Sequence, residues 1–443
     1  MTRLARIVLV AAMAAGLFLV GGLGLFLGSR AGRPSELAPV PQAGALLSPG
    51  GQGTFDGSIA SLQERVRQVP ADWKASASLG LAYVQQARIT ADPSYYPKAE
   101  GVLERSLEVR PDDNAVALLG FAALSAARHD FHAALRYGVR ARDLNPYDAN
   151  VHGVVGDALL ELGRYGEAIA SFQTMVDTLP GVSSFDRVSY ARELLGDVNG
   201  AIAAMRRART FAGTPSDAAW TSFQLGELYL GTGRLDAASQ AFRLGVDADP
   251  TSVQSFAGLA RVAWARGDLD RAIGEMTDVV RRFPAPEYVI ALGDLYRHAG
   301  NDAAAAQQYQ LAQAESELFA AAGVNMDLEL SLFEANHGNP AEALAAAEAE
   351  WARRRSIQVA DALAWALHAN GRDEEAARYA RRALSLTTRE GLYLYHAGMI
   401  ELGRGNRDAA RSLLRRALDV DPWFSILGAP EARRVLARLE GGR

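Results

Sequence analysis

The chain has 443 residues, of which 49% are apolar and 22% are charged, a mixture typical of a folded globular protein. Its net charge of −5 argues against a nucleic-acid-binding protein, which neutralises phosphates with an excess of basic side chains. The sequence contains no cysteine, which excludes disulfides, zinc-thiolate sites, iron–sulfur clusters and thiol nucleophiles.

An uncharged apolar stretch of 22 residues, Ile7–Gly28, follows Arg3 and Arg6. A helix rises about 1.5 Å per residue, so a helix of this length would cross a hydrocarbon core of roughly 30 Å. The sequence therefore predicts one N-terminal transmembrane segment within residues 1–28. The alternative is a signal peptide cleaved after Ala31, which would make the protein secreted.

Basic residues flank the apolar stretch on both sides, with Arg30 and Arg33 after it, so the two flanks are nearly balanced under the positive-inside rule. The free amino terminus adds charge to the first flank and favours a cytoplasmic N-terminus. The remainder of the chain is then expected outside the cytoplasmic membrane. The opposite topology, with a cytoplasmic adaptor for membrane assembly, stays open. Residues 29–57 are rich in proline and glycine and predict a flexible linker.

A pattern with a period of 33–38 residues occupies most of the remaining chain. Such a period is typical of a solenoid built from repeated helical hairpins. The pattern is anchored by ten alanines: Ala99, Ala134, Ala168, Ala201, Ala238, Ala272, Ala305, Ala343, Ala376 and Ala410.

A second small residue precedes nine of these alanines by twelve positions and Ala99 by nineteen, because the first unit carries about seven extra residues between its helices. Paired small residues predict the points where two helices cross closely. These residues are Gly80, Ala122, Gly156, Ser189, Gly226, Ala260, Gly293, Ser331, Ala364 and Gly398. Glycines between the two small positions are predicted to end the first helix with a positive φ. They are Gly163, Gly196, Gly233, Gly267, Gly300, Gly338, Gly371 and Gly405.

Larger residues complete the pattern, which is clearest in "LGELYLGTGRLDAASQAFRLGVDADP", from Leu225 to Pro250. The pattern resembles the tetratricopeptide repeat, whose unit has Leu-Gly and Tyr on helix A and Ala, Phe, Ala and Pro on helix B. The resemblance covers Trp73 to Pro422. It is weakest from Asn325 to Arg355, where Asp327 replaces the usual aromatic residue and Glu350 takes a normally small position.

The resemblance implies an all-α, right-handed superhelical solenoid of about ten helix-turn-helix repeats. Each hairpin buries one face against the next, so such an array needs polar ends. We expect the repeats to span residues 73–422, with capping helices in residues 58–72 and 423–443.

Motifs that carry catalytic or cofactor chemistry are missing from the sequence: there is no phosphate-binding GxxxxGK[ST], HExxH, EF-hand loop or G-x-S-x-G. His129 and His132 have the spacing of two metal ligands on one helix face, but no third ligand is evident. A solvated helix start is the favoured interpretation. The sequence therefore predicts no catalytic residue, no cofactor and no metal.

The concave surface of the solenoid remains as the candidate binding site, since the resemblance implies that the inner face of each helix A lines it. Aromatic and arginine side chains are enriched in binding hot spots. We expect a non-enzymatic scaffold that binds a protein or peptide there; an enzyme or a glycan-binding solenoid is the alternative. The candidate contact residues are Arg187, Tyr190, Trp220, Gln224, Glu227, Arg261, Trp264, Asp294, Arg297, Trp365, His368, Tyr395 and His396.

Overall fold

Twenty-two α-helices and no strand make up residues 55–441, the part of the chain that the computed structural model describes. None of these helices combines the length and the apolar character needed to span a bilayer. The predicted membrane segment and most of the predicted linker lie outside the described residues.

Ten antiparallel hairpins, here called repeats 1–10, lie between a first helix α1 (Phe55–Gln68) and a last helix α22 (Gly428–Gly441). Helices A and B of repeats 1–5 are α2 to α11: Trp73–Thr90, Tyr95–Val109, Ala115–Ala127, Phe131–Leu144, Ala149–Glu161, Tyr165–Thr178, Val182–Leu194, Val198–Arg209, Pro215–Leu230 and Leu235–Ala248. Those of repeats 6–10 are α12 to α21: Val253–Ala265, Leu269–Arg282, Pro286–His298, Asp302–Ala321, Asp327–His337, Pro340–Arg353, Ile357–Ala369, Asp373–Ala383, Gly391–Gly403 and Arg407–Val420.

The small residues predicted at the helix crossings are all buried, and each of the ten alanines is at most 1% exposed. The reason for the glycines on helix A is more specific than a close approach of two small residues. A Cβ atom at Gly156 would lie within 3.0 Å of the Phe172 ring on helix B. Phe242 is enclosed in the same way by Gly226 and by Gly258 of the following repeat. The glycines therefore make room for the largest side chains of helix B.

The loops between helices A and B, here called hairpin loops, use glycine as predicted at seven of the eight positions, with φ between +70° and +83°. Gly338 is the exception, and the prediction of a positive φ there is wrong: its φ is −133°. The buried carboxylate of Glu334 folds back at this point and accepts the backbone N–H of Asn339 at 2.6 Å. In repeat 2, His129 takes the position of the glycine with φ +59°.

The solenoid coils so tightly that its second superhelical turn (repeats 6–10) rests on its first (repeats 1–5). The backbone N–H of Ile357 donates to the Tyr165 hydroxyl at 2.7 Å across a separation of 192 residues. At about 34 residues per repeat, this separation along the sequence corresponds to between five and six repeats. Hairpin loops of repeats 2–5 meet the connecting loops that follow helix B of repeats 7–10. Thr387, for example, donates to the carbonyl of Leu195 at 3.1 Å. We call this the inter-turn contact.

Alanine substitution of two hairpin-loop glycines should measure the inter-turn contact. Gly163 and Gly371 have φ of +77° and +71°, so alanine costs about 1–2 kcal/mol of backbone strain at either position. At Gly163 the added Cβ would also lie 2.7 Å from the carbonyl oxygen of Arg355, whereas at Gly371 it meets nothing described within 4 Å. We expect Gly163→Ala to lower the free energy of unfolding more than Gly371→Ala in urea titrations. Equal losses would show that the two superhelical turns do not touch there.

Candidate binding cavity

A cavity of about 790 Å³ lies inside the first superhelical turn. Its wall is formed mainly by helix A of repeats 1–5, because successive helices A face the superhelix axis. Aromatic, basic and acidic side chains share this wall, and Tyr190 is 41% exposed within it. Both the volume and the mixture of apolar walls with a few polar groups are typical of ligand sites.

The end of the cavity nearest repeat 1 is basic. Arg88 projects into it with its side chain exposed to the cavity, and Tyr96 lies beside it. The surrounding protein and the charge of Arg187 together lower the pKa of Arg88. Arg187 is held by Asp157 through two hydrogen bonds of 2.8 and 2.6 Å, a bidentate geometry that fixes the guanidinium group.

The end of the cavity nearest repeats 4 and 5 is more acidic, although Asp186 there also acts electrostatically on Arg88. Burial raises the pKa of Asp186. Glu193 is exposed to the cavity, and the surrounding protein together with the charges of Glu227 and Asp186 raises its pKa to about 7. Arg261 pairs with one oxygen of Glu227 at 2.5 Å, while the other oxygen has no hydrogen-bond partner among the described residues. This end therefore carries more acidic than basic groups.

The second superhelical turn adds carboxylates close to the same end. Burial raises the pKa of Glu390 to about 7, with further contributions from the charges of Asp421 and Glu193. Burial also raises the pKa of Asp421, to about 6. Acidic groups of both superhelical turns thus face one another along the superhelix axis.

This arrangement of carboxyl groups predicts that the free energy of unfolding falls as pH rises toward 8. A carboxyl whose pKa is raised in the folded state binds its proton more tightly there than in the unfolded chain, so the stabilisation is complete below the unfolded pKa near 4.5 and is lost as pH rises through about 7. We expect the double variant Glu193→Gln, Glu390→Gln to show a smaller decline between pH 5 and pH 8 in urea titrations. Parallel pH profiles for wild type and variant would contradict the placement of these carboxyls.

Five of the residues proposed from the sequence line the cavity together: Arg187, Tyr190, Trp220, Gln224 and Glu227. They come from α8 and α10, the A helices of the consecutive repeats 4 and 5, and Gln224 donates to Asp186 at 3.3 Å. Arg261, from the next helix A, reaches the same wall through its ion pair with Glu227.

The other proposed residues lie in the second superhelical turn, where neighbouring side chains cover the same positions of helix A. Trp264 is 7% exposed and packs edge-on against Trp423, with 5.5 Å between ring centroids. Trp365 stacks on His396 at 4.2 Å and donates to Asn336 at 2.9 Å. Both tryptophans are buried against neighbouring side chains, and their contact with a partner stays a prediction.

Polar residues of the second superhelical turn are likewise engaged within the protein. Tyr309 donates to Asp294 at 2.8 Å, and Arg297 lies over the Tyr309 ring at 4.9 Å. His396 and its partner Asp361 are almost fully buried at 2.8 Å from one another. The two remaining residues, His368 and Tyr395, contact Asp373 and Phe424 respectively.

Models of the tetratricopeptide repeat match residues 113–183, 221–252, 258–322 and 360–392. The chain is a tetratricopeptide-repeat protein. A curated relative, cellulose synthase 1 operon protein C of Komagataeibacter xylinus, is 29% identical over 182 residues. That match covers 39% of this chain and only 13% of the relative's length.

Solved structures of other tetratricopeptide-repeat proteins are similar to the chain. A thermophilic protein of Thermus thermophilus is 22% identical, with 43% of this chain and 99% of that chain covered and a TM-score of 0.38. Yeast Tom70 is 14% identical, with 88% and 86% covered and a TM-score of 0.36.

The tetratricopeptide pattern gave no sign of several residues that shape the cavity or close the superhelix. Arg88 and Asp157 belong to repeats 1 and 3, and their charges on helix A were the available signal. His129 and His132, considered above as a metal pair, instead contact the carbonyls of Asn325 at 2.8 Å and Arg353 at 2.9 Å across the inter-turn contact. Within residues 55–441, no group of three or more His, Asp or Glu side chains is arranged to hold a metal ion.

Proposed function

We propose that this tetratricopeptide-repeat protein is a non-enzymatic scaffold that binds an extended segment of a protein partner in the cavity of its first superhelical turn. Tetratricopeptide repeats generally mediate protein–protein interactions. The observation that carries the proposal is the cavity itself, where exposed Tyr190 and half-buried Trp220 lie among charged side chains. Tyrosine, tryptophan and arginine are the side chains that contribute most to binding hot spots.

The size of the cavity favours an extended segment over a folded domain. About 790 Å³ accommodates a ligand of drug size or a short stretch of peptide. The inter-turn contact covers the hairpin-loop edge of the first superhelical turn, which an open solenoid would leave accessible to a folded partner. A segment that enters along the superhelix axis meets the basic end near Arg88 and the acidic end near Glu193.

Site-specific photocrosslinking tests this function. Benzoylphenylalanine at Tyr190 should capture a partner in cells, and the same probe at Leu318, which is 58% exposed on helix B of repeat 7, should not capture that partner. Trp220→Ala should reduce capture at Tyr190 without changing the helical circular dichroism signal. Equal capture from both probes, or capture unaffected by Trp220→Ala, would exclude the cavity as the partner site.

A glycan chain is a second candidate ligand for the same cavity. The relative in Komagataeibacter xylinus takes its name from a cellulose synthase operon, and Trp220 and Phe223 provide the aromatic surface on which sugar rings stack. Soluble cello-oligosaccharides should then bind the wild type in isothermal titration calorimetry and bind the Trp220→Ala variant more weakly. If cello-oligosaccharides do not bind and the probe at Tyr190 captures a protein, the ligand of the cavity is a protein.

The membrane attachment and extracytoplasmic location expected from the sequence are part of the same proposal. The 22 uncharged residues Ile7–Gly28 support them. Alkaline phosphatase fused after Gly441 should be active and green fluorescent protein fused there should be dark. The reverse result would place the repeats in the cytoplasm, and a shortened protein in the soluble fraction would indicate cleavage near Ala31.

A further inference from the structure

Each superhelical turn has two edges, one formed by hairpin loops and the other by connecting loops. The inter-turn contact joins the hairpin-loop edge of the first superhelical turn to the connecting-loop edge of the second. A Cβ atom at Gly196 or Gly233 would meet Thr387 or Pro422 across this contact. Two edges remain uncovered within residues 55–441: the connecting loops of the first superhelical turn and the hairpin loops of the second.

The uncovered hairpin loops are open to solvent. A Cβ atom at Gly267, Gly300, Gly371 or Gly405 would meet nothing described within 4 Å. The backbone in three of these loops is similar to that in the covered hairpin loops, with φ of +83°, +78° and +71° at Gly267, Gly300 and Gly371. Except in repeat 8, where Gly338 has φ −133°, the uncovered loops thus present the same backbone shape that a connecting loop already covers elsewhere in the chain.

The uncovered connecting loops carry exposed apolar side chains. Tyr147 is 86% exposed in the loop after repeat 2, and Leu144 beside it is 44% exposed. Leu179 is 57% exposed after repeat 3, and Phe211 is 37% exposed after repeat 4. Three consecutive loops at one edge therefore share this feature, whereas isolated exposed apolar residues need no explanation.

The connecting loops that are covered bury their apolar side chains in the inter-turn contact. Val324, in the loop after repeat 7, is 6% exposed and packs with Phe121 and Leu124 of repeat 2. Ile357, just after the loop that follows repeat 8, is fully buried with Leu160 of repeat 3. In the inter-turn contact, the hairpin-loop edge of one superhelical turn thus covers apolar residues of the connecting-loop edge of the other.

We propose that a second copy of this chain covers the exposed apolar edge, so that molecules stack head to tail through a contact of the same kind as the inter-turn contact. The inter-turn contact pairs the hairpin loop of repeat 2 with the connecting loop after repeat 7. In the proposed contact the hairpin loop of repeat 7 meets the connecting loop after repeat 2 of the next copy. The hairpin loops of repeats 8 and 9 then meet Leu179 and Phe211 of that copy. Such a contact is heterologous, because each copy contributes a different edge, and it leaves both ends of a stack open.

Cysteine crosslinking tests this stacking, since the natural chain contains no cysteine. Asn145→Cys lies in the connecting loop after repeat 2 and Ala299→Cys in the hairpin loop of repeat 7, and both positions are exposed. Full-length single variants are oxidised separately and as an equal mixture, in membranes or in detergent. We expect several-fold more disulfide-linked dimer in the mixture than in either variant alone.

The mixture result is specific to a head-to-tail contact. A dimer yield from either variant alone that equals the yield from the mixture would indicate a symmetric contact or random collision. That result, or a mixture that forms no dimer, would overturn the proposal. Adding Tyr147→Asp and Leu179→Asp should remove the excess dimer, while Leu318→Asp, at a site of similar exposure to Leu179, should leave it unchanged. The inference is independent of the ligand of the cavity.

Discussion

Replacement of Arg354 by alanine is expected to lower the free energy of unfolding by about 3–5 kcal/mol, the cost of removing one partner from a buried ion pair. Arg354 is 5% exposed and lies between the carboxylates of Glu161 and Glu350, with its guanidinium group over the Phe131 ring at 4.6 Å. Glu161 and Phe131 belong to the first superhelical turn and Glu350 to the second. The substitution therefore leaves carboxylates without their counter-charge at the inter-turn contact.

The matched control is Arg372→Ala, which removes an exposed pair with Glu375 of the kind worth about 0–1 kcal/mol. The loss of unfolding free energy caused by Arg354→Ala should also be smaller at pH 5 than at pH 8. Burial already raises the pKa of Glu161 although Arg354 opposes this, so Glu161 takes up a proton readily once the arginine is gone. Urea titrations at both pH values measure the effect, and losses equal to those of the control would contradict this ion-pair network.

Arginine in place of Ala272 should disrupt the middle of the solenoid at a cost of several kcal/mol, because a guanidinium group has no accessible neutral form when it is buried without a partner. Ala272 is fully buried on helix B of repeat 6, in the cluster that also holds Met276 and Leu292. Thermal unfolding followed by circular dichroism should show a large decrease of the melting temperature.

Gly274→Arg provides a control two residues away on the same helix. Gly274 is exposed, and a Cβ atom there meets nothing described within 4 Å. Because glycine inside a helix costs about 0.5–1 kcal/mol relative to alanine, arginine at this site should be neutral or slightly stabilising. Similar melting temperatures for the Ala272→Arg and Gly274→Arg variants would contradict the assigned helix face.

The repeat positions were predictable because they depend on contacts within one hairpin or between two neighbouring hairpins. A glycine at Gly156 and a ring at Phe172 fit one another locally, and the same fit recurs along the chain. The inter-turn contact was not predictable in this way, because it depends on how small rotations between repeats accumulate. One of its residues was visible only as a departure from the pattern: Glu350 takes a normally small position and binds Arg354, which also binds Glu161 of the first superhelical turn.

The cavity was partly predictable for a related reason. Periodicity identifies which residues of helix A face the superhelix axis, and Arg187, Tyr190 and Trp220 line one cavity there, while their contact with a partner stays a prediction. It does not indicate how deeply each position is covered. Trp264 occupies a comparable position on its helix, but Trp423 of the C-terminal region packs against it. Coverage of that kind comes from parts of the chain that are distant in sequence.

The second superhelical turn closes on the first, and one engineered disulfide tests this closure directly. In the cysteine-free chain, Leu195→Cys and Thr387→Cys place thiols on two residues that meet at the inter-turn contact, where the Thr387 hydroxyl now donates to the main-chain carbonyl of Leu195 at 3.1 Å. The closed superhelix predicts rapid oxidation to an intramolecular disulfide, seen by mass spectrometry of the monomer. A control pair, Leu195→Cys with Asn370→Cys, should stay reduced. Equal rates for the two pairs, or a Leu195–Thr387 pair that remains reduced, would contradict a closed superhelix.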